Sequence, residues 1–330
     1  MTTLHHPLAA GPDADTGARI VDLTPHEAGW EYSGLRVVGL AAGESRTLGT
    51  DDAETFVLPL SGGVSITVQH DNGDDLGSFD LHGRESVFTA VTDFLYVGRD
   101  SQIRLTAGET PCQLALPSAR CDQHLPPRYG PADAVPVEVR GAGTATRQVT
   151  NFGVPGVWDH AEKLICCELI TPPGNWSSYP PHKHDASEPC SVVNEEIYYY
   201  RIAGEDQITP SRQGMGYHQT YTGPEHDKAG LEPLGVLLEV RDHDVVVVPH
   251  GYHGPCIAAP GYPMYYLNVM AGPAQGRELA FCDDPDHAWV RDSWNTMDTD
   301  PRCPVTSATG RLDGLSAAIL TAPSPRERHT

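Results

Sequence analysis

The sequence predicts an all-β protein made of two barrel- or sandwich-like halves. Three observations carry that expectation. The chain of 330 residues holds 33 Gly and 29 Pro, enough to punctuate it with turns. Short runs rich in β-branched and aromatic residues recur at close spacing. No long amphipathic helical period interrupts them. A hydrophobic fraction of 39% suffices for a core at this length.

Residues 1–25, rich in Ala, Gly, Asp and Thr, read as a leader laid over the body. Strands are expected at 35–40, 54–60, 64–70, 94–97, 102–105 and 113–116. Ser61-Gly62-Gly63 reads as a tight turn, and Asp71-Asn72-Gly73-Asp74 as a hairpin. These elements form a first domain, 26–141, whose Pro- and Gly-rich end (121–146) connects the halves; 137–140 is an edge-strand candidate behind Pro136. The second domain, 142–302, repeats the style, with strands expected at 164–170, 196–202, 215–222, 234–240, 244–249 and 263–269. A turn and helix start is expected at 284–289, and residues 303–330 read as a tail.

The formal charge is −22, from 22 Lys and Arg against 44 Asp and Glu. Such a surface repels phosphate backbones and anionic lipid, which argues against nucleic-acid and membrane partners. An anionic substrate then requires a local cation. The eight cysteines include no C-x-x-C pair, and the expectation is free thiols in a reducing cytosol. No signal-peptide-like or membrane-length apolar run is present, so the chain reads as soluble and cytoplasmic. A homo-oligomer is left open.

The chemistry concentrates in the second half. Residues two apart in a strand share a face, so His182 and His184 point together and Lys183 points away. On the next strand Glu196, Tyr198 and Tyr200 share one face, while Glu195, Ile197, Tyr199 and Arg201 share the other. His253 follows the run Val245 to Val248. Three imidazoles and a carboxylate on neighbouring strands suit one divalent ion of the Zn, Mn, Fe or Ni type. For His182 and His184 alone, solvated loop residues are the commoner explanation; the joint pattern with Glu196 and His253 favours the metal.

The order H-x-H, E, H is similar to the signatures of cupins, and Pro249-His250-Gly251-Tyr252-His253 resembles the second of them. More specifically, PPHKHD, EEIYYYR, VVVVPHGYHG, APGYPMYYLNVMAGP and DDPDHAW resemble the 5-deoxy-glucuronate isomerase family of myo-inositol catabolism. PLSGG and GRESVF extend the likeness more weakly into the first half. That family is a bicupin, two double-stranded β-helix barrels, related to the 4-deoxy-uronate ketol-isomerase. The resemblance implies His182, His184, Glu196 and His253 as ligands of one divalent ion, with Zn or Mn favoured, in the second barrel. The first barrel, without H-x-H, is expected to serve as scaffold or interface. Many relatives carry Gln-Arg where this chain has His218-Gln219, so no role passes to that arginine.

The implied reaction is an aldose–ketose isomerisation of a small anionic sugar acid. Tyr198, Tyr200, His250 and Lys183 are candidates for moving the proton, with Lys183 disfavoured by alternation. Arg201 and Arg241 are candidates for the substrate carboxylate, each weighed against a plain strand-surface role. Tyr266 and Asn268 share a face and either line the cavity or serve packing and backbone bonding. Asp185 either orients a ligand histidine or caps its loop. An Fe(II) dioxygenase and a non-catalytic sugar-binding bicupin are the rival functions, since fold alone does not fix chemistry.

Overall fold

The computed structural model describes residues 3–7 and 20–312. Its strands form two barrels. In the first, one sheet runs Arg128–Gly130, Phe94–Val97, Ala53–His70, Cys112–Arg120, Ser33–Leu40, Val21–Leu23. The far part of Ala53–His70 also joins a second layer, between Asp75–Arg84 and Ser101–Ala107, with Ser45–Gly49 outside the latter. Val38, Val57, Ile66, Leu105 and Leu114 fill the space between the layers.

The second barrel repeats this order. Its first sheet runs His5–His6, Val245–Val248, Glu195–Ile202, Met264–Ala271, Ile165–Thr171, Arg147–Gly153, Val137–Arg140. Its second layer runs Gly235–Val240, Gly216–Tyr221, Tyr252–Ala258, His182–Lys183, Cys282–Asp283, with Trp176–Ser177 also on Tyr252–Ala258. Four strands correspond between the first sheets: Phe94–Val97, Ala53–His70, Cys112–Arg120 and Ser33–Leu40 match Val245–Val248, Glu195–Ile202, Met264–Ala271 and Ile165–Thr171 in order. The repeat expected from the two halves is therefore visible as topology.

The two first sheets pack face to face over Phe56, Phe94, Tyr96, Phe152, Tyr199 and Tyr265. This explains why EEIYYYRI lacks polar alternation. Ile197 and Tyr199 enter the interface, while Tyr198 and Tyr200 enter the second barrel, so both faces are buried. Two carboxylates lock the halves reciprocally. Glu54 accepts the backbone amides of Glu162, Lys163 and Leu164 and the hydroxyl of Tyr96. Glu195 accepts those of Glu31, Tyr32 and Ser33. Each glutamate begins its strand and binds the entry to a corresponding strand of the other barrel, so the clasps mirror the repeat.

Several expectations change. Ser61-Gly62-Gly63 is not a turn between strands; it is a bulged bend inside Ala53–His70. Gly62 has φ +72°, and a Cβ there would meet the Pro111 carbonyl at 2.5 Å. The Asp71–Asp74 hairpin forms, with His70 N–H donating to Asp74 O at 2.8 Å. The leader contributes strands His5–His6 and Val21–Leu23, and its residues 8–19 lie outside the described part. The start of the tail is packed: Val305 is in the core and Thr306–Ser307 pairs with Gly310–Arg311. Residues 313–330 lie outside the described part. Two cysteines expected to be free, Cys190 and Cys282, form a disulfide, because His182–Lys183 pairs with Cys282–Asp283 and brings the Cys190 loop alongside. Six others are free thiols. No helix among the described residues is long and apolar enough to cross a membrane.

Candidate metal centre

His184, Glu196 and His253 converge, each buried, with one donor atom apiece lying within 4.8 Å of the others. Glu196 is the second residue of Glu195–Ile202, an inner strand of the first sheet, and His253 stands on the second layer across the barrel. The register pairs His182 directly with His253. Their ring centroids are 4.6 Å apart, against 4.8 Å for His184 and His253 and 6.4 Å for His182 and His184. His182 is thus adjacent but stands outside the 4.8 Å set. It is the partly exposed member, with the Phe281 ring 4.8 Å away and tilted by 53°.

The hydrogen bonds fix the tautomers. Nδ1 of His182, His184 and His253 stands 3.2, 2.9 and 3.2 Å from the carbonyl oxygens of Pro180, Asn194 and Gly251. A carbonyl accepts only, so each Nδ1 carries the hydrogen and each Nε2 a lone pair. The Nε2 atoms of His184 and His253 lie 3.0 and 2.9 Å from the same Glu196 Oε2. That of His253 is buried and makes no hydrogen bond. Lone pairs facing a carboxylate oxygen in a buried space repel unless a proton or cation lies among them. This donor set therefore fits a divalent ion.

The charges tell the same story. Burial would raise the Glu196 carboxyl, but His253 and His184 hold it well below the usual carboxylate range. Burial would lower His184; the adjacent Glu196 outweighs it and raises the imidazole. Burial, then His253, pushes His182 well down. Asn268 donates through Nδ2 to Glu196 Oε1, which fixes the carboxylate plane. Asn268 thus holds the Glu196 carboxylate rather than bonding backbone.

The remaining candidates divide. Tyr198 projects into the barrel with its ring 6.1 Å from His253, and its hydroxyl is 3.2 Å from Ser178 Oγ. Tyr266 contacts Ser177 Oγ and, at 3.1 Å, Ser178 Oγ. Burial holds the phenols of Tyr198 and Tyr266 far above their ordinary value, so both are protonated donors. Tyr200 lies deeper, its hydroxyl 2.6 Å from His218 Nδ1.

Three candidates are corrected. Arg201 points to the opposite face, as alternation requires, and pairs there with Asp242 at 2.8 Å. Arg241 pairs with Glu239 and bonds the carbonyl of Gln213. His250 bonds the carbonyl of Glu232 at 2.8 Å, since the Pro249–Gly251 turn carries it away from the barrel. Lys183 points away from the cluster and bonds the carbonyls of Ser187 and Glu188. Asp185 touches no ligand imidazole; it accepts from Ser187, from Gly251 N–H at 2.7 Å, and pairs with His226. Sequence reasoning missed Ser177 and Ser178, which follow one exposed Trp and no strand-like run. It also missed His218, whose interior position shows only in the alternating burial of Gly216–Tyr221.

Fold and centre together define an all-β cupin protein of two barrels with a His/Glu cluster in the second. The oxalate decarboxylase of Lactobacillus farciminis shares the fold, with TM-score 0.56 at 13% identity over 84% of this chain and 88% of its own. The KduI/IolB family profile matches residues 8–290, and the chain belongs to that family. It is 37% identical over 83% of its length to a 5-deoxy-glucuronate isomerase of Geobacillus thermodenitrificans, of which it covers 92%. It is 32% identical over 84% of its length to one of Bacillus subtilis strain 168, of which it covers 95%. An IolB-like protein from Salmonella typhimurium LT2 matches with TM-score 0.74 and 32% identity over 87% of this chain and 99% of that one.

Proposed function

We propose that this chain is a 5-deoxy-glucuronate isomerase, interconverting an aldose acid and its ketose in the myo-inositol catabolism of the cytoplasm. The observation that carries the reading is the pair of imidazole lone pairs aimed at one Glu196 oxygen, in a chain of this family. His184, Glu196 and His253, with His182 as fourth donor, would hold one divalent ion, Zn or Mn. When bound, that ion supplies Lewis-acid polarisation of a carbonyl and its neighbouring hydroxyl.

The chain's own groups do the rest. The three Nδ1–H bonds to carbonyls keep the imidazoles in one orientation, and Asn268 does so for Glu196. Tyr198 presents a protonated hydroxyl beside the cluster, in a buried space where a hydrogen bond to developing oxygen charge is strong. In this reading Tyr198 holds a proton at its Oη during transfer between adjacent carbons. Buried apolar side chains fill the barrel interior beside the cluster, where an electrostatic contact is stronger than in water. The split into a supporting barrel and a working barrel belongs to the same proposal, with Val137–Arg140 paired into the sheet of the working barrel.

The test is a strictly anaerobic assay of the metal-loaded protein on 5-deoxy-glucuronate. Ketose formation is expected, and it is lost after chelation and regained on adding Zn or Mn. Deuterium from solvent enters the product if a proton is exchanged. Product formation that requires oxygen overturns the reading in favour of a dioxygenase.

A further inference from the structure

The acidic chain must still seat a carboxylate, and neither Arg201 nor Arg241 does so. Arginines around the second barrel already hold an acid, among them Arg201 with Asp242, Arg241 with Glu239, Arg140 with Glu138, Arg291 with Asp283 and Arg302 with Asp300. Arg147 differs. It is 6% exposed and, among the described residues, has no carboxylate in ion-pair contact. Its Nη1 donates to Ala145 O at 3.2 Å, while its Nε is buried without a partner. A buried guanidinium without an anion is costly, and the cost is relieved when an anion arrives.

Its direction follows from the strand. Arg147 and Val149 share a face of Arg147–Gly153, and Val149 packs inside the second barrel with Tyr198, Tyr200 and Tyr266. The pairing of Gln148 with Ile170 sets Arg147 opposite Thr171, whose buried Oγ1 also lacks a partner. A wall of rings leads from there to the cluster. Arg147 lies 5.7 Å from the Trp294 ring, Arg291 lies 5.5 Å from Trp294 and 5.1 Å from Phe281, and the Phe281 ring lies 4.8 Å from His182 at a 53° tilt.

We propose that Arg147, with Thr171 Oγ1 beside it, is the subsite for the carboxylate of an open-chain sugar acid whose reactive end lies at His184, Glu196 and His253. The inference rests on the isomerase reading and adds to it the group that selects acids over neutral sugars. Distance agrees. Asn268, which holds Glu196, pairs with Cys167, and Thr171 is four residues farther along, roughly 13 Å at about 3.3 Å per residue. A six-carbon chain extends to roughly 6 Å from bonds of about 1.5 Å. Contacts of about 3 Å at each end close most of the remainder, and the arginine side chain reaches inward. A planar guanidinium fork fits a carboxylate in two bonds, with Nε as one donor.

The experiment separates this subsite from the activity by using two unreactive open-chain probes that differ at the acid. The metal-loaded protein is titrated with L-gulonate and with sorbitol. The wild type is expected to bind gulonate on the order of 100-fold more tightly, as a desolvated charge-assisted pair allows. Arg147→Met removes that preference and raises the KM for 5-deoxy-glucuronate by a similar factor, with metal content unchanged. Arg147→Lys keeps the charge without the fork, serves if the Met variant fails to fold, and loses at least about tenfold. Wild-type protein that binds the two polyols equally, or neither, overturns the subsite. So does an Arg147→Met variant, or a folded Arg147→Lys variant, that keeps the full preference. Absence of turnover alongside an Arg147-dependent preference overturns the isomerase reading and leaves the subsite standing.

Discussion

At the scale of single residues, the centre is a problem of lone pairs. Three backbone carbonyls take the Nδ1 hydrogens and leave each Nε2 with a lone pair. Glu196→Gln removes the charge that balances a cation, so the variant is expected to lose bound metal and on the order of 10³-fold or more in turnover; metal analysis and an assay decide it. Asn268→Leu leaves Glu196 unanchored, and metal affinity should fall about 10- to 100-fold, read by competition with a chelating dye. A pH effect follows from His218 and His243, each pushed down to about 3, first by burial and then by nearby positive groups. In the unfolded chain both bind a proton near pH 6.5; in the folded chain neither does until about pH 3. The unfolded state therefore holds more protons below pH 6.5, and stability falls with acidity by up to about 1.4 kcal/mol per pH unit for each histidine. Melting temperatures at pH 7.5 and 5.5 test this, and replacing His218 with Gln should flatten the slope.

At the scale of elements, two kinds of tie place the site. The glutamate clasps join each barrel to the entry of the other. Glu54→Ala strips partners from three backbone amides, two of them on buried residues, and is expected to cost about 3 kcal/mol or more, measured by denaturant unfolding. The Cys190–Cys282 bond joins the loop between His184 and Glu196 to the segment bearing Phe281, 92 positions apart in the chain. Replacing both with Ser should lower stability by about 2–4 kcal/mol in oxidising buffer and make no difference once a thiol reductant is present. Much of this level was legible in advance. The strands at 94–97, 137–140 and 245–248 announce themselves by β-branched and aromatic runs. Arg147–Gly153 was not, because a strand buried on both faces that mixes Arg, Gln, Thr and Asn carries no period to read. Its omission hid Arg147.

At the scale of the whole molecule, a repeated strand order gives two barrels, and the candidate metal donors gather in one of them. The first barrel lends its sheet to the interface and so rigidifies the strand that carries Glu196 and Tyr198. If the centre holds an ion in the native state only, removing it should lower the melting temperature, and reloading should restore it; an ion at about 1,000 times its Kd is worth about 4 kcal/mol. A melting curve unchanged by chelation and reloading overturns that coupling.

The amino-acid sequence alone determined the all-β class, the two halves, the family, and the ligand types on alternating positions, because period-two patterning and residue chemistry are local properties. It also determined that Lys183 and Arg201 face away from His182 and Tyr198. Only the tertiary structure decided which carboxylate each arginine already holds, that His250 turns outward, that Asn268 grips Glu196, and that Arg147 is left unpaired inside the barrel. Those outcomes depend on cross-strand register and on contacts between residues far apart in the chain, such as Asn268 with Glu196, and no local pattern encodes them.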